Sequence, residues 1–119
     1  MQVIVEAKNM TVTQALRTFI EEHARKLEKV AHKIGAVRVY LETVPKKSND
    51  PFANEVTFTV EVPGKGITVK KHAADMYEAI VDAAHGAVRK VRKKMERRAD
   101  RRRLRTAQGV ALRDAVFSS

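Results

Sequence analysis

The chain has 119 residues, of which 44% are hydrophobic, and its formal net charge is +10 at pH 7. That length suits one compact domain with a modest core, and the hydrophobic content excludes wholesale disorder. No apolar run approaches a membrane span, no signal-peptide pattern opens the chain, and without cysteine there is neither a disulfide nor a thiolate site.

The first third of the chain predicts a strand and then a helix. Gln2–Lys8 alternates apolar and polar residues, which is typical of a half-buried strand. Thr11 or Thr13 can cap a helix that continues to about Lys33 and ends at Gly35. The apolar face of that helix is expected to comprise Leu16, Phe19, Ile20, His23, Leu27, Val30, Ala31 and Ile34.

Three further strands follow. Ala36–Val44 alternates, and Pro45–Ala53 is a loop by its composition. Asn54–Pro63 has the clearest alternation in the chain, which favours an antiparallel sheet with one wet face. Pro63–Gly66 predicts a hairpin turn, and Ile67–Ala73 is the fourth strand.

A long second helix is predicted over residues 75–105. Asp75, with Glu78 three residues later, resembles a capping box and places the helix start there. Its buried face is expected to comprise Met76, Ile80, Ala84, Ala87, Val88, Val91 and Met95. After about Met95, the helical positions that would continue this buried face are occupied by arginine. Because a guanidinium is not buried unpaired, the helix is expected to extend beyond the sheet.

Positive charge is concentrated in this helix. Residues 86–105 hold eleven Lys and Arg against two acids, whereas the remainder has thirteen basic and twelve acidic residues. One flank of the helix carries Lys90, Lys93, Lys94, Arg97 and Arg101. Like charges at this spacing destabilise a helix slightly, and a polyanion would relieve that cost. A solvated helix end is the simpler alternative, but eleven cations in twenty residues favour nucleic acid.

The order β-α-β-β-β-α predicts the α+β class. A right-handed first crossover makes the first two strands parallel, and the remaining strands form an antiparallel meander. Each strand has one apolar face and each helix one apolar stripe. Both helices are therefore expected on the same face of a four-stranded mixed sheet, in two layers.

The sequence offers no convincing motif for catalysis or cofactor binding. The four histidines lack metal-site spacing, no glycine-rich loop has a phosphate-binding pattern, and no acid pair suggests general acid–base chemistry. His23 is interpreted as a core histidine, and His85, on the solvent flank of the second helix, could contact a phosphate. Phe19, Phe58 and Tyr77 are assigned to the core. Recognition is therefore expected to use phosphates and shape rather than bases.

Three segments resemble the ribosome hibernation promoting factor family, which includes ribosome-associated inhibitor A, also called protein Y. They are Gln2–Lys8, the run Lys26-Leu27-Glu28-Lys29, and the sequence DMYEAI that opens the second helix. The resemblance covers about residues 1–100. It implies a fold related to double-stranded RNA-binding domains and a cytoplasmic protein that binds small-subunit ribosomal RNA in the channel of messenger and transfer RNA. Such a protein silences idle ribosomes by occlusion.

The resemblance also implies RNA-binding residues. Those carried over from the family are Lys26, Lys29, Arg89 and Lys93. Those added from helical position alone are Lys33, Lys90 and Arg97. Family members often have another basic residue near position 86, where this chain has Gly86. No catalytic residue, metal, cofactor, membrane or small-molecule substrate is expected, and the free protein is expected to be monomeric.

Residues 1–105 are expected to form the ribosome-binding domain and residues 106–119 a flexible tail. Long family members add a dimerising domain, for which 119 residues leave no room. Residues 113–117 loosely resemble the tail of the inhibitor type, which opposes ribosome pairing. That tail is usually acidic and this one is not, so the subtype stays open. One alternative is a general structured-RNA-binding module. Another is an enzyme that uses the open sheet face, but no set of catalytic residues in the sequence supports it.

Overall fold

The computed structural model describes residues 1–118 except His32 and residues 45–51, and it does not describe the side chains of residue 98 and residues 100–118. In chain order the elements are β1 (Gln2–Lys8), α1 (Gln14–Ala24), a 3-10 turn (Arg25–Lys29), β2 (Ala36–Thr43), β3 (Asn54–Val60), β4 (Ile67–Ala73) and α2 (Met76–Ser118). The predicted β-α-β-β-β-α order is confirmed. Most of the predicted loop Pro45–Ala53 lies outside the described residues.

The four strands form one mixed sheet in the order β1-β2-β3-β4. β1 runs parallel to β2, and the other neighbours are antiparallel, as predicted. One cross-strand row joins Val5, Val39, Phe58 and Val69. Phe58 is fully buried in this row. Because a slip of one residue would turn the whole row toward solvent, its burial specifies the register. The α+β fold class is confirmed.

Both helices cover the inner face of the sheet and leave its outer face open. A polar row on that outer face joins Glu6, Tyr40, Thr57 and Lys70. In the next row, the carboxylate of Glu55 lies 3.1 Å from Lys70 Nζ and 3.0 Å from His72 Nε2. Burial alone raises the pKa of Glu55, but the hydrogen bonds from Lys70 and His72 outweigh it and hold the pKa below its usual value. The outer face is thus a mixed-charge surface, unlike the helical side.

The first helix is shorter than the sequence predicted. Thr13 caps it, since Thr13 Oγ1 accepts a hydrogen bond of 3.2 Å from the backbone N–H of Leu16. The α-helix ends at Ala24 rather than near Lys33, and the chain tightens into the 3-10 turn. Such turns are frequent at helix ends, and residues three apart eclipse in them. The tightening keeps Leu27 fully buried and sets Lys26 and Lys29 on one line.

Asp75 caps the second helix: its Oδ1 accepts from the backbone N–H of Tyr77 at 3.1 Å. Val91 is the last fully buried residue described in α2, Met95 is partly buried, and Arg97 is exposed. The expected departure from the sheet near Met95 is therefore confirmed. At 1.5 Å per residue, the 43 residues of α2 span about 64 Å, whereas a strand of seven residues spans about 23 Å.

The helical backbone continues to Ser118, beyond the predicted end at Arg105. Gly109 lies within the tail that was predicted to be flexible, and it does not interrupt the helical backbone. One glycine costs a helix only about 1 kcal/mol relative to alanine, and the neighbouring Ala, Gln, Leu and Arg residues are good helix formers. The division of the chain into a domain and a flexible tail stays a prediction.

Small residues bring α2 close to the sheet. The buried face of this helix is wider than the predicted stripe, because it also includes Ala79, Ala83 and Gly86. A Cβ atom built on Gly86 would lie 2.9 Å from Val69 Cγ1, closer than side chains normally approach. Gly86 is therefore a packing residue against β4 and not a vacant position for a surface cation.

We expect Gly86→Ala to lower the free energy of unfolding by roughly 1 kcal/mol. Alanine improves helix propensity by about 1 kcal/mol, but overpacking a filled core costs about 1–3 kcal/mol. Urea unfolding of Gly86→Ala, Val69→Ala and the double variant measures the coupling. In the Val69→Ala background the same substitution should be neutral or stabilising. A stabilising effect in the wild-type background would contradict the close contact.

Candidate nucleic-acid interface

The basic part of α2 borders two grooves. The hairpin groove lies between α2 and the turn that joins β3 to β4, with a volume of about 670 Å³. Its lining residues are Pro63, Gly64, Lys65, Gly66, Ile67, Lys90, Lys93, Lys94 and Arg97. The interhelical groove lies between α2 and the 3-10 turn, with a volume of about 500 Å³. Its lining residues are Lys26, Lys29, Val30, His85, Val88, Arg89 and Arg92.

Two lysines of α2 hold the hairpin turn against the helix. Lys90 Nζ donates a hydrogen bond of 3.2 Å to the carbonyl oxygen of Thr68, and Lys94 Nζ donates to the carbonyl oxygen of Lys65. The turn can approach because Gly64 adopts a φ of 90°, which residues with a side chain rarely adopt. These contacts give Lys90 and Lys94 a structural role in addition to any role in binding.

The 3-10 turn forms one side of the interhelical groove. Because residues three apart eclipse there, Lys26 and Lys29 both face the groove opposite Arg89 and Arg92. In a continuous α-helix, as the sequence predicted, residues three apart also share a face, so the 3-10 turn aligns these two lysines more closely but is not what brings them together. The groove therefore gathers four side chains that are ordinarily charged, together with His85, over apolar walls formed by Val30 and Val88.

His23 lies at the α1 end of this groove. It is half-buried and not in the core proper: its Nδ1 lies 3.2 Å from Lys26 Nζ and its ring packs on Phe19. Burial lowers the pKa of His23, and the charges of Lys26 and His85 lower it further. Glu22 opposes the shift. His23 is thus kept neutral beside a cationic surface.

The structure divides the predicted site residues between the two grooves. Those in the interhelical groove are Lys26, Lys29 and Arg89. Those in the hairpin groove are Lys90, Lys93 and Arg97. Lys33 is exposed and is not among the residues that line either groove. Arg89 and Lys93 are one helical turn apart, so the outer surface of α2 joins the two grooves into one cationic surface.

The predicted RNA-binding residues did not include Arg92, Lys94 or Lys65, although Lys94 was placed on the same flank of the second helix as Lys90 and Lys93. Helical spacing could have suggested the first two, since each lies three or four residues from a predicted cation. Lys65 could not have been found, because a turn residue has no periodicity that relates it to a helix. His85, for which a phosphate contact was considered, lines the interhelical groove.

The aromatic assignments need correction. Phe58 is in the core as predicted, but Tyr77 is 41% exposed and Phe19 is only half-buried. Tyr77 stands in the first turn of α2, beside α1, and contacts Phe19 with its ring centroid 4.9 Å away. The predicted core position of Tyr77 is therefore wrong. Met76 begins the buried stripe of α2, and Tyr77, the next residue, points away from that stripe toward the edge of the domain.

The described part of the chain has neither a candidate metal site nor a helix that could span a membrane. No group of three or more His, Asp or Glu residues there is placed to hold a metal ion. No helix among the described residues combines the length and apolar character needed to cross a bilayer.

The fold and its surface define a two-layer α+β domain with cations gathered along its second helix. Residues 3–99 match the family described as Sigma 54 modulation protein / S30EA ribosomal protein, and the chain belongs to that family. The family resemblance predicted from the sequence is confirmed.

A curated relative, the ribosome hibernation promotion factor of Deinococcus radiodurans, is 35% identical over 89 residues. The match covers 75% of this chain and 46% of the relative, so the chain spans about half the relative's length.

Two solved structures share the fold. The N-terminal domain of Thermus thermophilus protein Y superposes with a TM-score of 0.68 at 22% identity, over 78% of this chain and 98% of that domain. A ribosomal subunit interface protein from Coxiella burnetii superposes with a TM-score of 0.70 at 18% identity, over 81% of this chain and 99% of that protein's chain. At these identities the likeness concerns the fold alone.

The lowered pKa of His23 predicts a loss of stability in mild acid. As the pH falls below about 6.5, the unfolded chain takes up a proton at this position before the folded chain does, so folding becomes less favourable. The loss ends once the pH passes below the folded-state pKa. Thermal midpoints of the wild type and His23→Gln are followed from neutral to mildly acidic pH, and the wild-type midpoint should fall relative to that of the variant as the pH decreases. A constant difference would contradict the neutral His23.

Proposed function

We propose that the protein is a non-enzymatic, ribosome-associated inhibitor of translation. It binds small-subunit ribosomal RNA in the channel used by messenger and transfer RNA, and it silences idle ribosomes by occupying that channel. The proposal is supported by membership of the family and by a relative named as a ribosome hibernation promotion factor. Because its proposed target is the ribosome, the protein is proposed to act in the cytoplasm, as a monomer and without a cofactor.

The observation that carries the proposal is the continuous cationic surface of α2 and its two grooves. Lys26, Lys29, Arg89 and Arg92 line one groove, and Lys90, Lys93, Lys94 and Arg97 line the other. RNA phosphates carry the complementary charge and lie in rows, so two parallel grooves on a rigid helix can follow two stretches of backbone. Shape and charge, rather than many base contacts, then determine the fit.

An elongated basic helix suits occlusion better than catalysis. Beyond Met95 the helical backbone of α2 continues to Ser118, and the side chains described there, Glu96, Arg97 and Ala99, are exposed, so the helix can enter a channel while the sheet remains outside. A tightly bound domain in that channel excludes other RNA by its volume alone and needs no reactive group.

Cosedimentation with purified small ribosomal subunits tests the proposal. We expect the protein to sediment with the subunits and to stay bound when bulk double-stranded RNA is added as a competitor. If the duplex displaces the protein completely, the chain is a general structured-RNA-binding module and is not dedicated to the ribosome. Absence of sedimentation in either condition would contradict both functions.

Binding should depend strongly on salt. If about five cations meet phosphates, the logarithm of the association constant should fall with the logarithm of salt concentration at a slope of about −3.5 to −4.5. Small-subunit affinity measured over a series of potassium chloride concentrations gives this slope. A slope near zero would remove the electrostatic basis of the proposal.

Reversing two cations on the outer surface of α2 should weaken binding. Arg89→Glu with Lys93→Glu removes two charges that join the grooves, and each change also adds a repulsion from phosphate. We expect at least about a ten-fold loss for each, because a hydrogen bond between charged groups contributes about 1.5–3 kcal/mol. These positions are preferable to Lys90, whose ammonium group also holds the start of β4.

The matched control reverses two cations on the outer face of the sheet. Lys8→Glu with Arg38→Glu changes the net charge equally, and both side chains are exposed. The exposed pair of Arg38 with Glu61, at 3.3 Å, contributes little to stability. Affinity for small subunits and thermal midpoint are measured for both double variants. Equal losses of affinity would show that net charge matters and the surface of α2 does not.

A further inference from the structure

Three rings form an aromatic cluster (Phe19, His23 and Tyr77) where α1 meets the first turn of α2. The ring centroids of Phe19 and His23 lie 4.4 Å apart, and those of Phe19 and Tyr77 lie 4.9 Å apart in an edge-on arrangement. Phe19 and His23 are half-buried, and Tyr77 is 41% exposed. The cluster thus leaves a fixed aromatic surface at the rim of the domain.

This cluster adjoins the interhelical groove through His23, although its three rings are not among the residues that line the groove. His23 Nδ1 lies 3.2 Å from Lys26 Nζ, and Lys26 lines the groove with Lys29, Arg89 and Arg92. The charge of His85, another lining residue, also acts on the His23 ring. A ligand bound to the cations of the groove and extending past Lys26 would therefore reach the aromatic rings.

We propose that the interhelical groove holds an unpaired nucleotide of RNA. Its base lies against the aromatic cluster and its flanking phosphates contact Lys26 and Arg89. This inference rests on the proposed function, and it adds a base contact to recognition that otherwise depends on phosphates. The base must be unpaired, because the faces and edges of paired bases are covered within the duplex.

The chemistry of the cluster favours a nucleobase over other flat groups. Stacking of a base on an aromatic side chain is sequence-tolerant, since every base has a π face, and adjacent cations hold the backbone that carries it. The neutral state of His23 avoids a third charge at the base end and leaves its ring available for stacking. An aromatic without nearby cations would bind a base poorly.

Among the described phenylalanine and tyrosine side chains, Phe52 is exposed as well as Tyr77, and its surroundings support this distinction. Phe52 is 64% exposed and lies on the ring of His72, whose Nε2 is 3.0 Å from the Glu55 carboxylate. A phosphate near Phe52 would meet that carboxylate, which also neutralises the nearby Lys70 at 3.1 Å. Exposure alone therefore does not make a base site, and Phe52 provides a matched control for Tyr77.

Tyrosine fluorescence tests the inference directly. The chain has no tryptophan and two tyrosines, Tyr40 and Tyr77, so Tyr40→Phe leaves Tyr77 as the only fluorophore. Tyr40 lies on the outer face of the sheet. Three probes are titrated into this variant: a short oligouridylate, an abasic ribose-phosphate oligomer with the same number of phosphates, and a blunt RNA duplex. We expect quenching by the oligouridylate and little change with the other two.

Affinity measurements provide a second test of the base contact. Tyr77→Leu keeps an apolar contact with Phe19 but removes the aromatic face. We expect it to weaken oligouridylate binding by about five-fold or more, because stacking of one base on an aromatic residue contributes about 1–3 kcal/mol. Binding of the abasic oligomer and the duplex should stay at the wild-type level. Phe52→Leu should leave all three affinities unchanged, and thermal midpoints verify that each variant is folded.

Two outcomes overturn the inference while leaving the proposed function intact. One is normal small-subunit binding together with equal affinity of wild type and Tyr77→Leu for the oligouridylate. The other is equal quenching by the oligouridylate and the abasic oligomer, which would show that Tyr77 responds to phosphate and not to a base. Failure of the wild type to bind small subunits or any RNA would instead contradict the proposed function and remove the basis of the base site.

Discussion

The close contact between α2 and β4 is the constraint on which the binding surface depends. Gly86 allows the helix to approach until a Cβ there would lie 2.9 Å from Val69 Cγ1, and Ala79, Ala83 and Ala87 bury equally small side chains along the same face. At that distance the ammonium group of Lys90 reaches the carbonyl of Thr68 on β4. The hairpin groove therefore results from small residues in the core and only secondarily from the cations that line it.

The same packing separates the molecule into two kinds of surface. On the inner face, apolar rows such as Val5, Val39, Phe58 and Val69 are covered by the helices, whose outer surfaces carry the basic residues. On the open face, cations have acidic neighbours, as in the contacts of Glu55 with Lys70 and His72. The sheet is thus close to neutral where it meets solvent, and the helical side presents an excess of positive charge to a polyanion.

Sequence patterns predicted the fold well, because each strand alternates with a period of two and each helix has an apolar stripe with the helical period. The bounds of β1 and β4, the parallel pairing of β1 with β2, and the cap at Asp75 follow from local rules. The predicted end of α1 was wrong, since a 3-10 turn and an α-helix have similar apolar patterns over five residues. That difference changes where the helix ends, whereas the i, i+3 spacing of Lys26 and Lys29 gives them a shared face in either type of helix.

The candidate site was only partly predictable from the sequence. Periodicity places Arg89, Lys93 and Arg97 on the exposed side of a helix, but it does not reveal which part of the fold lies opposite them. The neighbours that create the grooves, such as Lys65 in a turn and Val30 after the 3-10 turn, come from distant parts of the chain. Tyr77 was misassigned for a related reason, because its exposure depends on where α1 ends relative to the first turn of α2.

The central claim is that α2 faces the small-subunit RNA and the open face of the sheet does not. The chain has no cysteine, so Glu96→Cys on α2 and Glu6→Cys on the outer face each provide one attachment point for an iron chelate, with the same change in charge. Hydroxyl radicals generated on bound small subunits then cleave the nearest RNA. The account predicts strong cleavage from position 96 in RNA that lines the messenger and transfer RNA channel, and weak cleavage from position 6. Equal cleavage from both positions, or cleavage from position 96 outside that channel, would contradict it.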